Sequence, residues 1–232
     1  MTSQDTLYEI DSGIATIPLN RPEQMNTLGG SMMALVSQYI QQAEDDKDVR
    51  AIILTGAGRM FCAGLDVIGA QSRAGSQAGN NTATEIPVTL DVKRFPPAVI
   101  YNCEKPVICA LNGAAAGFGM DMALACDIRV MAQTAKLAPT PVKRGIVPAR
   151  NLGADECKEL GLCAHVVPND KLMPFARSLA TDIAANAPLA VQSAKRLMRM
   201  GMAQQFNDHV HHVYMNFLQL MRTEDAKEGM TS

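Results

Sequence analysis

Tryptophan is absent from this 232-residue chain and aromatic residues make up only 4% of it, so a core of any size must be built from Ala, Val, Ile, Leu and the 15 Met. Charge is also sparse: charged residues amount to 19% and the formal net charge is −2. No basic stripe runs along the chain, which excludes the phosphate-neutralising surface of a nucleic-acid binder; Lys195, Arg196 and Arg199 form only a small cluster. Long apolar runs are missing too, because Gly, Asp, Asn or Lys interrupts each before it could span a membrane. The polar start Met1-Thr2-Ser3-Gln4-Asp5 carries no targeting signal, so a cytoplasmic location is expected, with a matrix-type organelle after loss of a leader as the alternative. Cys62, Cys103, Cys109, Cys126, Cys157 and Cys163 lack zinc-type spacing and sit in apolar runs, as reduced, buried thiols do. What remains, 47% apolar residues, suffices for a main globular domain with a smaller appendage.

Periodicity gives the order of elements. Two alternating runs, 7–10 and 14–19, flank Asp11-Ser12-Gly13 and predict a hairpin, which Asn20-Arg21-Pro22-Glu23 ends. Met32, Leu35, Val36, Tyr39, Ile40 and Ala43 recur at three and four, predicting an amphipathic helix over 31–44. The run at 49–54 reads as a strand covered on both faces; 107–111 reads as a buried strand and 128–131 as a further strand, with a helix over 117–125 between them. Strand and helix in series favour a parallel sheet with crossovers. Residues 71–85, rich in Gly, Ser, Asn, Thr and Ala without a period, read as a mobile surface loop. Helical periodicity fills 172–202, broken at Asn186-Ala187-Pro188, and a further helix covers 204–221.

Two of the strands end in glycine-bearing turns. The first continues from Leu54-Thr55-Gly56 to Phe61-Cys62-Ala63-Gly64-Leu65-Asp66, and the second from Asn112-Gly113 to Gly117-Phe118-Gly119-Met120-Asp121. Turns that bare backbone N–H groups after buried strands offer the parts of an oxyanion hole, whose donors must be fixed where negative charge develops on a carbonyl oxygen. Such a pair points to chemistry on an acyl group.

At these residues the sequence resembles the crotonase family, also called the enoyl-CoA hydratase/isomerase family. The match takes in Leu19-Asn20-Arg21-Pro22 with Asn26, the two turns just quoted, Lys105-Pro106-Val107-Ile108, Ala125-Cys126-Asp127-Ile128-Arg129 and Lys158-Glu159-Leu160-Gly161-Leu162. The resemblance implies an α/β fold: a spiral of repeated ββα units over 1–168, then a helical region over 169–232, assembled as homotrimers or dimers of trimers. It implies an acyl-CoA enzyme, with hydration of a 2-enoyl-CoA as the leading activity and double-bond isomerisation of an enoyl- or dienoyl-CoA as the alternative. An alternative of another class is a non-catalytic CoA-binding or assembly subunit. Coenzyme A enters as part of the substrate; no separate cofactor and no metal is implied.

Carried onto this chain, the family's two N–H donors fall at Leu65 and Phe118, with Ala63, Gly64, Asp66, Gly117 and Gly119 forming the substrate-binding turns around them. Phe118 stands where Gly is frequent and narrows the acyl pocket. Asp121 matches the first catalytic glutamate of the hydratases, and dienoyl-CoA isomerases are similar in placing Asp there; by itself it would read as a first-turn acid favoured by the helix dipole. The second glutamate falls at Pro141, a substrate-site position whose side chain can exchange no proton. A two-glutamate hydration therefore does not transfer unchanged. Family members also place a helix-length segment between the stretches matching Gly145-Ile146-Val147-Pro148-Ala149 and Arg150-Asn151-Leu152. The good register after this junction leads us to expect missing residues there rather than a deletion; an intact mass well above 24.9 kDa supports that, and an equal mass contradicts it.

Other candidates carry less. His209 and His212 share a helix face but His211 points elsewhere, so a surface or subunit contact is expected rather than a metal site. Cys62 beside the first turn reads as packing rather than as a nucleophile, and Asp66 as a turn-fixing acid. Lys143 and Arg144 are surface charges or neighbours of CoA phosphates. The run Leu197-Met198-Arg199-Met200-Gly201-Met202 reads as core, with an acyl-binding or subunit face as the alternative.

Overall fold

The computed structural model describes residues 4–66, 94–139 and 150–231; the 71–85 loop, Pro141, Lys143 and Arg144 lie outside them. Strands β1 (Glu9–Asp11) and β2 (Ile14–Leu19) form the expected antiparallel hairpin, turning through Ser12 and Gly13 at φ 52° and 76°, the left-handed values a two-residue hairpin turn needs. Strands β3 (Ala51–Gly56) and β4 (Val107–Leu111) are buried along almost their whole length, as their unbroken apolar runs require. Beyond them β5 is Ala115–Ala116, β6 Ile128–Ala132, β7 Lys136–Ala138, β8 Leu152–Gly153 and β9 His165–Val167. The main sheet runs β1-β2-β3-β4-β6-β9, parallel from β2 onward, and β5-β7-β8 make a second, small sheet. Short strands of two or three residues carry no usable alternation, which is why the second sheet has no counterpart in the sequence pattern.

Helix α1 (Met32–Asp45) buries Val36, Tyr39, Ile40 and Ala43 on its expected stripe. Helix α2 (Pro96–Asn102) begins at two prolines, whose fixed φ and missing N–H suit a first helical turn. Helix α3 (Phe118–Ala125) follows the second glycine turn, and α4 (Ala154–Glu159) leads to β9. Of the later helices, α5 (Leu172–Ala184) sets Leu172, Ala176 and Ala180 into the main core, against β2, β3, β4 and β6. It is thus a layer of the core, and the outlying helices are α6 (Pro188–Gly201), α7 (Phe206–Leu220) and α8 (Glu224–Gly229).

Charge, more than apolar contact, fastens α6. Lys195 Nζ lies 2.7 Å from Asp127 Oδ2 and donates to the Lys105 carbonyl at 2.5 Å, while Arg199 Nη2 lies 2.6 Å from Asp127 Oδ1. Asp127 also accepts the Val107 N–H at 2.8 Å, so one carboxylate ties α6 to the start of β4. The small basic cluster of the sequence is therefore a structural anchor. Met198 and Met202 are exposed, which corrects the expectation that their run is core.

Candidate active site

Backbone hydrogen bonds stitch the two glycine turns together. Ala116 N–H donates to the Cys62 carbonyl at 2.8 Å, and the Phe61 and Cys62 N–H groups both donate to the Ala114 carbonyl at 3.2 Å. Gly64 has φ 93° and Gly117 has φ 50°, backbone states that any side chain resists. A Cβ built on Gly64 would lie 2.9 Å from the Ala116 carbonyl oxygen and 3.6 Å from the Phe118 nitrogen, so the turns touch at this point. At Gly119 a Cβ would meet Cys62 at 2.5 to 2.8 Å.

Gly64 and Gly117 each precede a residue whose N–H has no acceptor among the described residues. Leu28 N–H donates to the Gly64 carbonyl at 2.8 Å and Asp66 N–H to the Leu28 carbonyl at 3.4 Å, so the intervening Leu65 N–H points to the opposite edge. Phe118 opens α3, where the first N–H groups have no carbonyl a turn earlier to meet. Among the described residues neither the Leu65 nor the Phe118 N–H has a hydrogen-bond acceptor. Leu65 itself is 51% exposed.

Beside Phe118 opens a cavity of about 590 Å³ between α2 and α3, walled mainly by Phe95, Pro97, Ala98, Tyr101, Phe118 and Leu124. Phe95 packs edge-on against Phe118, ring centroids 6.0 Å apart, so Phe118 forms the near wall. Asp121, one turn into α3, also lines the cavity; its N–H donates to the Gly117 carbonyl at 3.1 Å, while its carboxylate has no hydrogen-bond or ion-pair partner among the described residues. Although the residue is exposed at the mouth, partial loss of water beside this apolar wall pushes its carboxyl pKa up. The helix N-terminus alone would push the other way.

The remaining predicted residues scaffold these groups. Asp66 lies 3.3 Å from Arg21, which also donates to the Thr27 carbonyl at 2.8 Å. Asn26 donates to the Ala57 and Met60 carbonyls at 2.9 and 2.8 Å, and Asn112 to Gly58 at 2.8 Å. The motif asparagines thus shape the loop before Phe61, a role sequence spacing did not reveal. The Cys62 thiol is fully buried and pushed up to about 11 by that burial, which is the packing environment expected of it. All six cysteines are free and buried. His212 Nδ1 lies 3.1 Å from Gln204, and among the described residues no three His, Cys, Asp or Glu gather to hold a metal. Tyr101 and Phe95 escaped the sequence reading because a seven-residue helix shows barely two turns of period.

Glycine turns baring two donors beside an apolar cavity with one carboxylate define the kind of site that acyl-transfer and enolate chemistry requires. The family model for enoyl-CoA hydratase/isomerase matches this chain in two pieces, residues 9–151 and 147–232, so the chain belongs to that family. It is 30% identical to the (E)-benzylidenesuccinyl-CoA hydratase of Thauera aromatica, over 95% of this chain and 92% of that one. To the 1,2-epoxyphenylacetyl-CoA isomerase of Escherichia coli it is 33% identical, over 77% and 75%. The crystal structure of an enoyl-CoA hydratase from Bacillus anthracis superposes with a TM-score of 0.82 at 28% identity, covering 98% of this chain and 95% of that one. The two matched pieces overlap over residues 147–151.

Proposed function

We propose that this protein binds an acyl-CoA thioester with its carbonyl oxygen between the Leu65 and Phe118 N–H groups and its acyl chain in the α2–α3 cavity. The observation that carries this reading is the contact between two glycine turns, each leading to a backbone N–H with no acceptor among the described residues, beside an apolar groove that Phe118 lines. Negative charge that develops on the thioester oxygen meets fixed N–H dipoles there, which stabilises an enolate without reorganisation. Asp121 is the proton-handling group. In hydration of a 2-enoyl-CoA, Asp121, held above its ordinary pKa, takes a proton from the water whose hydroxyl adds to C3 and returns that proton to C2 of the resulting enolate.

One observation favours a second reading. Asp121 is the only carboxylate lining the described cavity, and Pro141 occupies the other acid position. A single carboxylate suffices for double-bond isomerisation, because it takes a C2 proton from a 3-enoyl thioester, leaving a dienolate, and returns that proton to C4. Loss of ultraviolet absorbance from a short 2-enoyl-CoA supports hydration; appearance of that absorbance from a 3-enoyl-CoA supports isomerisation. Binding of CoA thioesters with neither signal supports a non-catalytic subunit.

Assembly as a homotrimer or dimer of trimers belongs to the same proposal. On α7, Phe206, Val210, Val213, Tyr214 and Phe217 follow helical spacing, yet all are exposed, Phe206 to 79%, and the helix has no buried residue. An apolar stripe of this kind supports burial against a second copy. Six buried thiols support a reducing compartment, and among the described residues no helix is long and apolar enough to cross a membrane. The junction at 149–150 and the boundary between core and outlying helices, drawn from the packing of α5 at about residue 186 rather than 168, are proposals as well.

A further inference from the structure

From the ring of Tyr101, we infer that this residue, held by Arg199 from the outlying helix α6, closes the far end of the acyl groove and sets the longest chain the site accommodates. The inference rests on the thioester reading above and adds a specificity-determining residue to it. Helices α2 and α3 lie side by side with their starts together, since Phe95 packs on Phe118, and with their ends together, since Tyr101 and Leu124 wall the same cavity. The groove therefore runs from the Phe118 donor along six residues of α3 to Leu124, about 9 Å, close to an extended octanoyl chain.

Tyr101 is 44% exposed and would swing freely if nothing held it. Its ring face is instead covered by the Arg199 guanidinium, 4.2 Å from the ring centroid. That guanidinium is itself fixed in the plane, because Asp127 holds one of its nitrogens at 2.6 Å while Lys195 shares the same carboxylate. A planar cation with one edge bonded and one face on an aromatic ring is a rigid clamp that lysine cannot reproduce. Arg199 is not itself among the residues that line the groove, so it acts as a positioning residue through Tyr101.

The test is calorimetric binding of butyryl-, octanoyl- and dodecanoyl-CoA to the intact protein and to Tyr101→Ala and Arg199→Lys. These saturated thioesters report the groove whichever reaction the site performs. In the parent protein affinity should climb from butyryl to octanoyl and then level off. In Tyr101→Ala the dodecanoyl-to-octanoyl affinity ratio should rise by about fourfold for each methylene newly buried, and in Arg199→Lys by a smaller factor in the same direction. A ratio does not depend on the fraction of protein folded, so a merely structural role for either residue leaves it unmoved. An unmoved ratio in Tyr101→Ala overturns the inference and leaves the thioester reading intact. A shift in Tyr101→Ala with none in Arg199→Lys overturns the clamp. Failure of the parent protein to bind any of the three overturns the thioester reading and the inference with it.

Discussion

Asp121 is disfavoured in its charged form by the apolar wall it lines, and this has two consequences of opposite kind. The first concerns stability. A carboxyl whose folded pKa is raised costs nothing below the pKa of an unfolded aspartate, and the cost sets in as pH rises through the folded value. Asp121→Asn should therefore melt above the parent protein at pH 7, with the gap closing as pH falls toward the ordinary value of 3.8. The second concerns turnover, which should fall about 100-fold or more in the same variant while acyl-CoA binding persists. The activity of the parent protein should decline on the acid side at a pH above 3.8, since the ionised carboxylate is the working form. Nearby, Cys62 makes the contrasting case: buried and pushed up to about 11, it should resist iodoacetamide at pH 8 in the folded protein and react once guanidinium is added.

The turns behave as one element because they share backbone bonds. A methyl group at Gly119 would press on Cys62 at 2.5 to 2.8 Å, so Gly119→Ala must spread the two turns apart. We expect a loss of about 1–3 kcal/mol in denaturant unfolding and a larger proportional loss in kcat than in thermal stability would suggest, since the Phe118 donor moves with Gly119. The parts of this site that sequence revealed are those written in residue identity: the glycines, Asp121 and the buried strands β3 and β4. The groove stayed hidden because its outer wall is α2, too short to show a period, and because Tyr101 acquires its role from Arg199, 98 positions further on. The helical region was visible, but which of its helices would lie on the sheet was not. Periodicity shows that α5 and α6 are both amphipathic; it does not tell that one packs on a sheet through alanines while the other hangs on Asp127. Removing that carboxylate with Asp127→Ala should cost about 3 kcal/mol by stranding Lys195 and Arg199.

For the molecule as a whole, the stripe on α7 predicts an assembly of several protomers, with three or six copies expected. Val213→Glu with Phe217→Glu should shift it toward single chains in analytical ultracentrifugation, and a monomeric parent protein would contradict the proposed assembly. The proposed chemistry of one protomer draws on the core: a parallel sheet delivers two strand ends, a glycine follows each, and α3 sets the Asp121 carboxylate one turn in. The most direct test of that account follows the ultraviolet absorbance of a short 2-enoyl-CoA after addition of the parent protein or of Asp121→Asn. The account predicts steady loss of absorbance with the parent protein and almost none with the variant. Loss at equal rates with both would contradict the role given to Asp121, and no loss with either, together with no signal from a 3-enoyl-CoA, would contradict catalysis at this site.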